Sequence, residues 1–327
     1  MSDWHELIAT YPWNTPSTAD APLGNPITML SLNERRLLHW LAREFDLSRD
    51  DTIVDLGCFL GGSTVSLAAG IQHNPHFSEG QVRIHSYDIF AVPDDETYLR
   101  YIGHDLRPGM STLPLFLEAL GDARKDVFIH CGDFMFASAP PGPIGILFVD
   151  IAKNWELNDV VVSRFFSRLV PGRSLVVQQD YNDHSCPWIN VTMGLFRDYF
   201  RVLCDDHCSR VYLYERELPP SSLGVAIREQ INPRDMVALM EQVVRSEPNQ
   251  HSRFFSYVTT AWLVAEADGL AAARKYLARC DSVAGFAWPE AWKYIDMVNA
   301  AIEIVHNRRD PRDKGLTFCE QDERPCR

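Results

Sequence analysis

The chain has 327 residues, 46% of them apolar, enough to bury a sizeable core with an appendage beside it. Its 44 acidic and 31 basic residues give a formal net charge of −13, with no Lys/Arg cluster, which disfavours nucleic acid and anionic membranes as partners. No run approaches the roughly 20 apolar residues of a membrane helix. The first twenty residues lack the basic start and apolar stretch of a secretion signal, and eight irregularly spaced cysteines read as reduced thiols, so a cytoplasmic protein is expected.

Residues 1–30, rich in Pro, Thr and Ala, read as an arm. Ser31 opens a helix, with Glu34 completing a capping box and Leu37, Leu38, Leu41 and Phe45 at helical spacing. Thr52–Leu56 is a β-rich run; GCFLGGS follows it, then a small-residue helix over Thr64–Ile71. Strand-like runs recur at Val82–Asp88, Val127–Cys131, Ile144–Asp150 and Ser174–Gln178, with helical patterns at Leu113–Leu120, Trp155–Leu169 and Ile189–Tyr199. Strands alternating with helices predict a parallel sheet covered on both faces. The connection from Ile89 to Pro108, carrying Phe90, Tyr98, Tyr101, His104 and Arg107, is long enough for a lid or an extra packed helix. Phe200–Arg216 reads as two strands around a short polar loop. Beyond Pro219 only helices are predicted. The first is capped by Asn232 and Pro233 and carries Met236, Val237, Met240, Val243 and Val244 on one face; Phe254–Ala267 and Ala291–Val305 follow, then a charged, frayed tail after Arg308.

The turn Asp55-Leu56-Gly57-Cys58-Phe59-Leu60-Gly61-Gly62-Ser63-Thr64 joins a buried strand to a helix N-terminus, which favours a close-lying anionic group. A dinucleotide turn has glycine where Phe59 stands, and Phe59 would crowd a pyrophosphate. The second strand ends in Asp88, a carboxylate able to accept both hydroxyls of a ribose, and the third ends in Cys131-Gly132-Asp133-Phe134. The fourth and fifth strands end in Asp150 and in Gln178-Gln179-Asp180, at the edge where open α/β sheets bind ligands. Two carboxylates there would suit a divalent cation. Lys153 reads equally as a base or as a surface lysine, and His184 in the following loop is a rival base. Trp155 and Trp188 begin the next helices and would wall a pocket or fill core. His207 between Cys204 and Cys208 is read as part of the hairpin, not of a zinc site.

The Asp55–Gly61 turn, the ordered strand ends and the terminal hairpin resemble the class I S-adenosylmethionine (SAM)-dependent methyltransferases. Within that class, Asp150 with Lys153 three residues later resembles the metal-dependent small-molecule O-methyltransferases of the macrolide, sugar and catechol type. The resemblance spans about residues 31–217. It implies an α/β fold: a Rossmann-like, seven-stranded, mostly parallel sheet with a terminal antiparallel hairpin, here followed by an all-helical extension over 218–327. It implies SAM held by Asp55, Gly57, Phe59, Gly61, Ser63, Thr64 and Asp88, with Asp133 reaching the adenine amino group and Phe134 packing on the ring. It further implies Mg²⁺ or another divalent cation on Asp150, Asp180 and Gln179, and a methyl group passed to a hydroxyl of a small metabolite by a site of Asp150, Lys153 and His184. The sequence departs from the pattern at Gln178 and Gln179, where neutral amides stand beside a single Asp180. The extension is expected to cap the acceptor site, to pair subunits in a homo-oligomer, or, in a non-catalytic alternative, to recruit a partner.

Overall fold

A computed structural model describes residues 4–15, 23–24, 26–77, 83–102, 106–280 and 291–307. The N-terminal arm is packed where it is described. Helix α1 (Trp4–Ile8) and a 3₁₀ turn (Pro12–Asn14) bring Trp13 against Trp40, ring centroids 5.4 Å apart, on α2 (Leu32–Glu44). The capping box at Ser31 and Glu34 is present with both of its hydrogen bonds.

The strands are β1 (Thr52–Leu56), β2 (Ile84–Asp88), β3 (Val127–Cys131), β4 (Ile144–Val149), β5 (Ser174–Gln178), β6 (Phe200–Asp206) and β7 (Ser209–Tyr214). They form one seven-stranded sheet in the order β3-β2-β1-β4-β5-β7-β6. Pairing is parallel from β3 to β5 and antiparallel where β7 meets β5 and β6. Alternate residues of the central strands feed opposite cores. Val54, Leu56, Leu147, Val149 and Val176 pack with Phe165, Phe166 and Ile189. Ile53, Ile146, Phe148, Leu175 and Val177 pack with Leu37, Leu41 and Leu67. Burial on both faces is why these strands read as continuous apolar runs.

On the faces lie α3 (Gly62–Ile71), α4 (Glu96–Ile102), α5 (Leu113–Leu120), α6 (Trp155–Val160) and α7 (Pro187–Leu195). The long connection after β2 thus contains a packed helix: Tyr98 and Leu99 of α4 sit with Phe59, Leu60 and Val92 against the glycine-rich turn. His104 lies outside the described residues. The single helix expected over Trp155–Leu169 is instead α6, a π-helical turn (Val161–Phe165) and a 3₁₀ turn (Phe166–Arg168). The run Val160-Val161-Val162 crowds a regular helix, and the wider turn lets Phe165 and Phe166 both enter the core.

After β7 the described residues are helical: α8 (Pro220–Leu223), α9 (Ile227–Gln230), α10 (Pro233–Ser246), α11 (Gln250–Asp268), α12 (Leu270–Leu277) and α13 (Ala291–Asn307). Helix α10 lies directly on α7: a Cβ added to Gly194 would come within 3.1 Å of Val243. Met236 and Met240 of α10 join the sheet's own core, while α11 to α13 build a further one around Phe254, Tyr257 and Val298. No described helix is long and apolar enough to cross a membrane.

Candidate active site

The strand order reverses at β1, where the connections leave to opposite sides and open a crevice at the carboxyl ends. The glycine-rich turn lies there. Gly57, at φ +88°, is needed for close packing: a Cβ on it would stand 2.9 Å from the backbone carbon and oxygen of Asp150. Gly61, at φ +97°, is the N-cap of α3. Thr28 of the arm rests on the N-terminus of α3, where a Cβ on Gly62 would collide with its hydroxyl. Nothing in the sequence pattern marked Thr28.

Asp55, Ser63 and Thr64 do not line an open site. Asp55 is fully buried and accepts hydrogen bonds from Ser63 Oγ (2.8 Å) and Thr64 Oγ1 (2.5 Å). These side chains brace strand, turn and helix against one another, and burial pushes the Asp55 carboxyl up to about 7. Their contribution to a ligand is therefore the shape of the turn.

Asp88 faces the turn. Its Oδ2 accepts from Phe59 N and its Oδ1 from Phe90 N, both at 2.8 Å. Phe59 (φ +47°) and Phe90 (φ +51°) are both left-handed, a conformation costly for a residue with a Cβ. One carboxylate thus pins two strained residues, and beyond the N–H groups of Phe59, Phe90 and the adjacent Ile89 it keeps acceptor capacity for a ligand. Burial raises its pKa against the pull of these N–H donors. Ile89, next to it, is 58% exposed.

At the end of β3, Asp133 is exposed and caps Met135 N at 2.9 Å. Phe134 is packed inward and does not stand free at the strand end. It is buried, stacked on Phe165 with centroids 5.5 Å apart and edge-on to Tyr87, because the 3₁₀ turn after Asp133 folds it inward. The same turn throws out Phe136, 84% exposed, which sequence periodicity had no means of singling out. Tyr87, His130, Asp133, Phe134, Phe136 and Ser138 help to line a cavity of about 330 Å³.

Asp150 and Asp180 do converge, but around Lys153. Its Nζ donates to Asp150 Oδ1 at 2.5 Å and to Asp180 Oδ2. The lysine is therefore no surface residue; its side chain is 24% exposed. Burial raises the pKa of both carboxyls, and Lys153 opposes the rise at each. Asp180 is left-handed at φ +67°. The expected metal set of Asp150, Asp180 and Gln179 does not fit a divalent ion here, because the ammonium group lies between the two carboxylates. Among the described residues, no group of three or more His, Cys, Asp or Glu side chains is arranged as metal ligands. Gln179 is buried with its carbonyl oxygen unpartnered.

His184 is buried beside Asp183, Nδ1 to Oδ1 3.4 Å. Burial opposes ionisation of Asp183, but hydrogen bonds from His184 and Ser185 outweigh it and hold the carboxyl down at about 2. Trp188 donates its indole N–H to the Ala152 carbonyl, next to Lys153, and meets Trp155 edge-on at 6.3 Å. His207, in the hairpin turn at φ +52°, faces Glu34 at 3.6 Å.

The parallel sheet closed by β7 and β6, with a glycine-rich turn after β1 and a carboxylate after β2, settles the architecture. The fold is the Rossmann-like, mostly parallel sheet with a terminal antiparallel hairpin expected from the sequence. No family model and no curated protein matches the sequence. Among solved structures, the O-methyltransferase NovP matches at 14% identity and a TM-score of 0.42, over 65% of this chain and 98% of that one. The O-methyltransferase from Bacillus cereus in complex with SAH matches at 12% identity and 0.42, over 65% and 97%. The 23S rRNA methyltransferase ErmE matches at 14% and 0.31, over 81% and 98%. Likenesses this distant carry no information about substrate.

Proposed function

We propose that this protein is a SAM-dependent methyltransferase acting on a hydroxyl of a small metabolite such as a sugar or secondary metabolite. The observation that carries the reading is Asp88, held across the glycine-rich turn by Phe59 N with acceptor capacity left for a ribose. That donor set, with the N-terminus of α3 beside it, suits SAM: Gly57, Phe59 and Gly61 shape the turn, Asp88 takes the ribose, and exposed Ile89 and Asp133 border the adenine. When bound, SAM supplies an electrophilic methyl group.

On the acceptor side, Asp150, whose proton affinity burial has raised, takes the hydroxyl proton. Lys153 keeps Asp150 and Asp180 together and donates toward the developing oxyanion, in the place a metal would otherwise occupy. Trp155 and Trp188 wall the acceptor side, and the acidic surface favours a small-molecule acceptor over nucleic acid.

Calorimetry with SAM, SAH and NAD tests the cofactor half. Micromolar SAM or SAH binding is expected, about 7–8 kcal/mol. Tight NAD binding without SAM binding would sink it. Conversion of SAM to SAH over a panel of hydroxylated metabolites tests the acceptor half. Full activity of Asp150→Asn with loss in His184→Ala would move the base to His184.

A further inference from the structure

We infer that the helical extension is part of the acceptor site: Arg210, clamped between the hairpin and the extension, is a positioning residue that sets Asp180 through Tyr181. The inference rests on the reading of Asp180 and Lys153 as acceptor-site groups.

The segment 179–186 carries Asp180, Asp183 and His184 yet has no regular secondary structure of its own. Its first turn is strained at Asp180, and a left-handed aspartate persists only when its surroundings over-determine it. Those surroundings come from three elements. From α7, Asn190 Nδ2 donates to the Tyr181 carbonyl at 2.8 Å. From the hairpin, the Cys208 carbonyl accepts from Asn182 N (3.2 Å) and the His207 carbonyl from Asn182 Nδ2 (3.1 Å). From the extension, Thr259 Oγ1 of α11 donates to the Asp183 carbonyl at 3.3 Å.

Arg210 joins these elements. Its guanidinium lies 4.1 Å from the centre of the Tyr181 ring, the residue immediately after Asp180. It grips Asp205 of β6 with two nitrogens, Nε to Oδ1 and Nη2 to Oδ2 (2.8 Å). Its third nitrogen, Nη1, reaches Glu247 Oε2, between α10 and α11, at 2.7 Å. Ser252 of α11 adds a hydrogen bond to Asp205 Oδ2 at 3.0 Å. Arg210 is 2% exposed, Asp205 10% and Glu247 7% by side chain, so the cluster is dry. A planar fork that stacks on a ring while satisfying two carboxylates is a task lysine cannot perform. The extension supplies Glu247, Ser252 and Thr259, so the chain after β7 helps to decide where Asp180 stands against Lys153.

The test reads Lys153 directly. The chain has five lysines, at 125, 153, 275, 293 and 314, so ¹³C-labelled lysine gives a simple spectrum that Lys153→Arg assigns. Asp180→Asn supplies the reference for a lysine that has lost one carboxylate. Two variants are compared: Arg210→Lys, which keeps the charge and loses fork and stacking, and Thr259→Val, which removes one hydroxyl of α11 and leaves every charge in place. Circular dichroism and a cooperative melt establish that each is folded. The expected result is that the Lys153 ε-carbon resonance in both folded variants moves from its wild-type position toward that of Asp180→Asn. An unmoved resonance in every folded variant overturns the inference and leaves the extension as packing alone. If Arg210→Lys fails to fold, Thr259→Val decides by the same criterion. SAH titration of the wild type is run in parallel: its failure refutes the methyltransferase reading, whereas the lysine spectrum tests the clamp independently of it.

Discussion

Replacing Asp88 by asparagine or alanine tests the cofactor site and its local architecture together. In the folded chain both carboxylate oxygens accept backbone N–H groups, from Phe59 and from Phe90. Hydrogen bonds to a charged group contribute roughly 1.5–3 kcal/mol each. Alanine removes both, about 3–6 kcal/mol, and relaxation of two left-handed residues returns about 1 kcal/mol apiece. The net loss of stability expected for Asp88→Ala is therefore about 1–4 kcal/mol. Asparagine keeps one acceptor oxygen and turns an NH₂ toward a backbone donor, so about 1.5–3 kcal/mol is expected for Asp88→Asn. SAH affinity should fall in parallel, because the remaining lone pairs are those offered to the ribose. A loss of roughly 1.5–3 kcal/mol corresponds to about 10–150-fold in Kd. Urea melts give the first quantity and calorimetry with SAH the second. Asp88→Asn with wild-type stability and wild-type SAH affinity would refute the reasoning at both levels. Lost stability with undiminished affinity would leave Asp88 as a brace and move the ribose partner elsewhere.

Three further outcomes follow from the site. Lys153→Met removes the cation that bridges Asp150 and Asp180, and turnover should drop by about 10²–10⁴-fold while SAH affinity stays within twofold; unchanged turnover counts against the cluster as the acceptor site. Since Lys153 stands where a divalent ion would, excess chelator should leave methyl transfer unchanged and added Mg²⁺ should not stimulate it; abolished turnover would restore the metal. Acid titration separates two aspartates of opposite sign. Asp183, held down at about 2, contributes stability that is present above the ordinary carboxylate range and lost as pH falls through that range toward 2. Asp55, pushed up to about 7, binds its proton more tightly when folded, so its ionisation costs stability as pH rises from about 4 to 7. Denaturant melts of Asp183→Asn and Asp55→Asn should each lose the corresponding slope; a slope that survives its own variant removes that assignment.

The order of strands and helices along the chain and the turn after β1 are legible in the sequence, because they depend on local signals. Continuous apolar runs mark strands covered on both faces, Ser31 and Glu34 cap α2 by contacts within one turn, and the glycines announce positive φ. The same signals located Asp88, Asp150 and Asp180, since strand ends are legible from the runs that precede them. What each side chain meets was decided by tertiary structure. Asp55, Ser63 and Thr64 look like ligand residues in sequence, but the pleat of β1 turns Asp55 inward to meet the first turn of α3. Phe134 and Phe136 are alternatives by composition, and only the 3₁₀ turn after Asp133 decides which ring is buried. In sequence Lys153 reads as base or surface residue alike, because the 27 residues separating it from Asp180 say nothing about distance; parallel pairing of β4 with β5 closes that gap. The hold of Arg210 on Tyr181, Asp205 and Glu247 is beyond reach of any local pattern, because it joins the segment after β5, the hairpin and the extension through contacts that exist only once all three have packed.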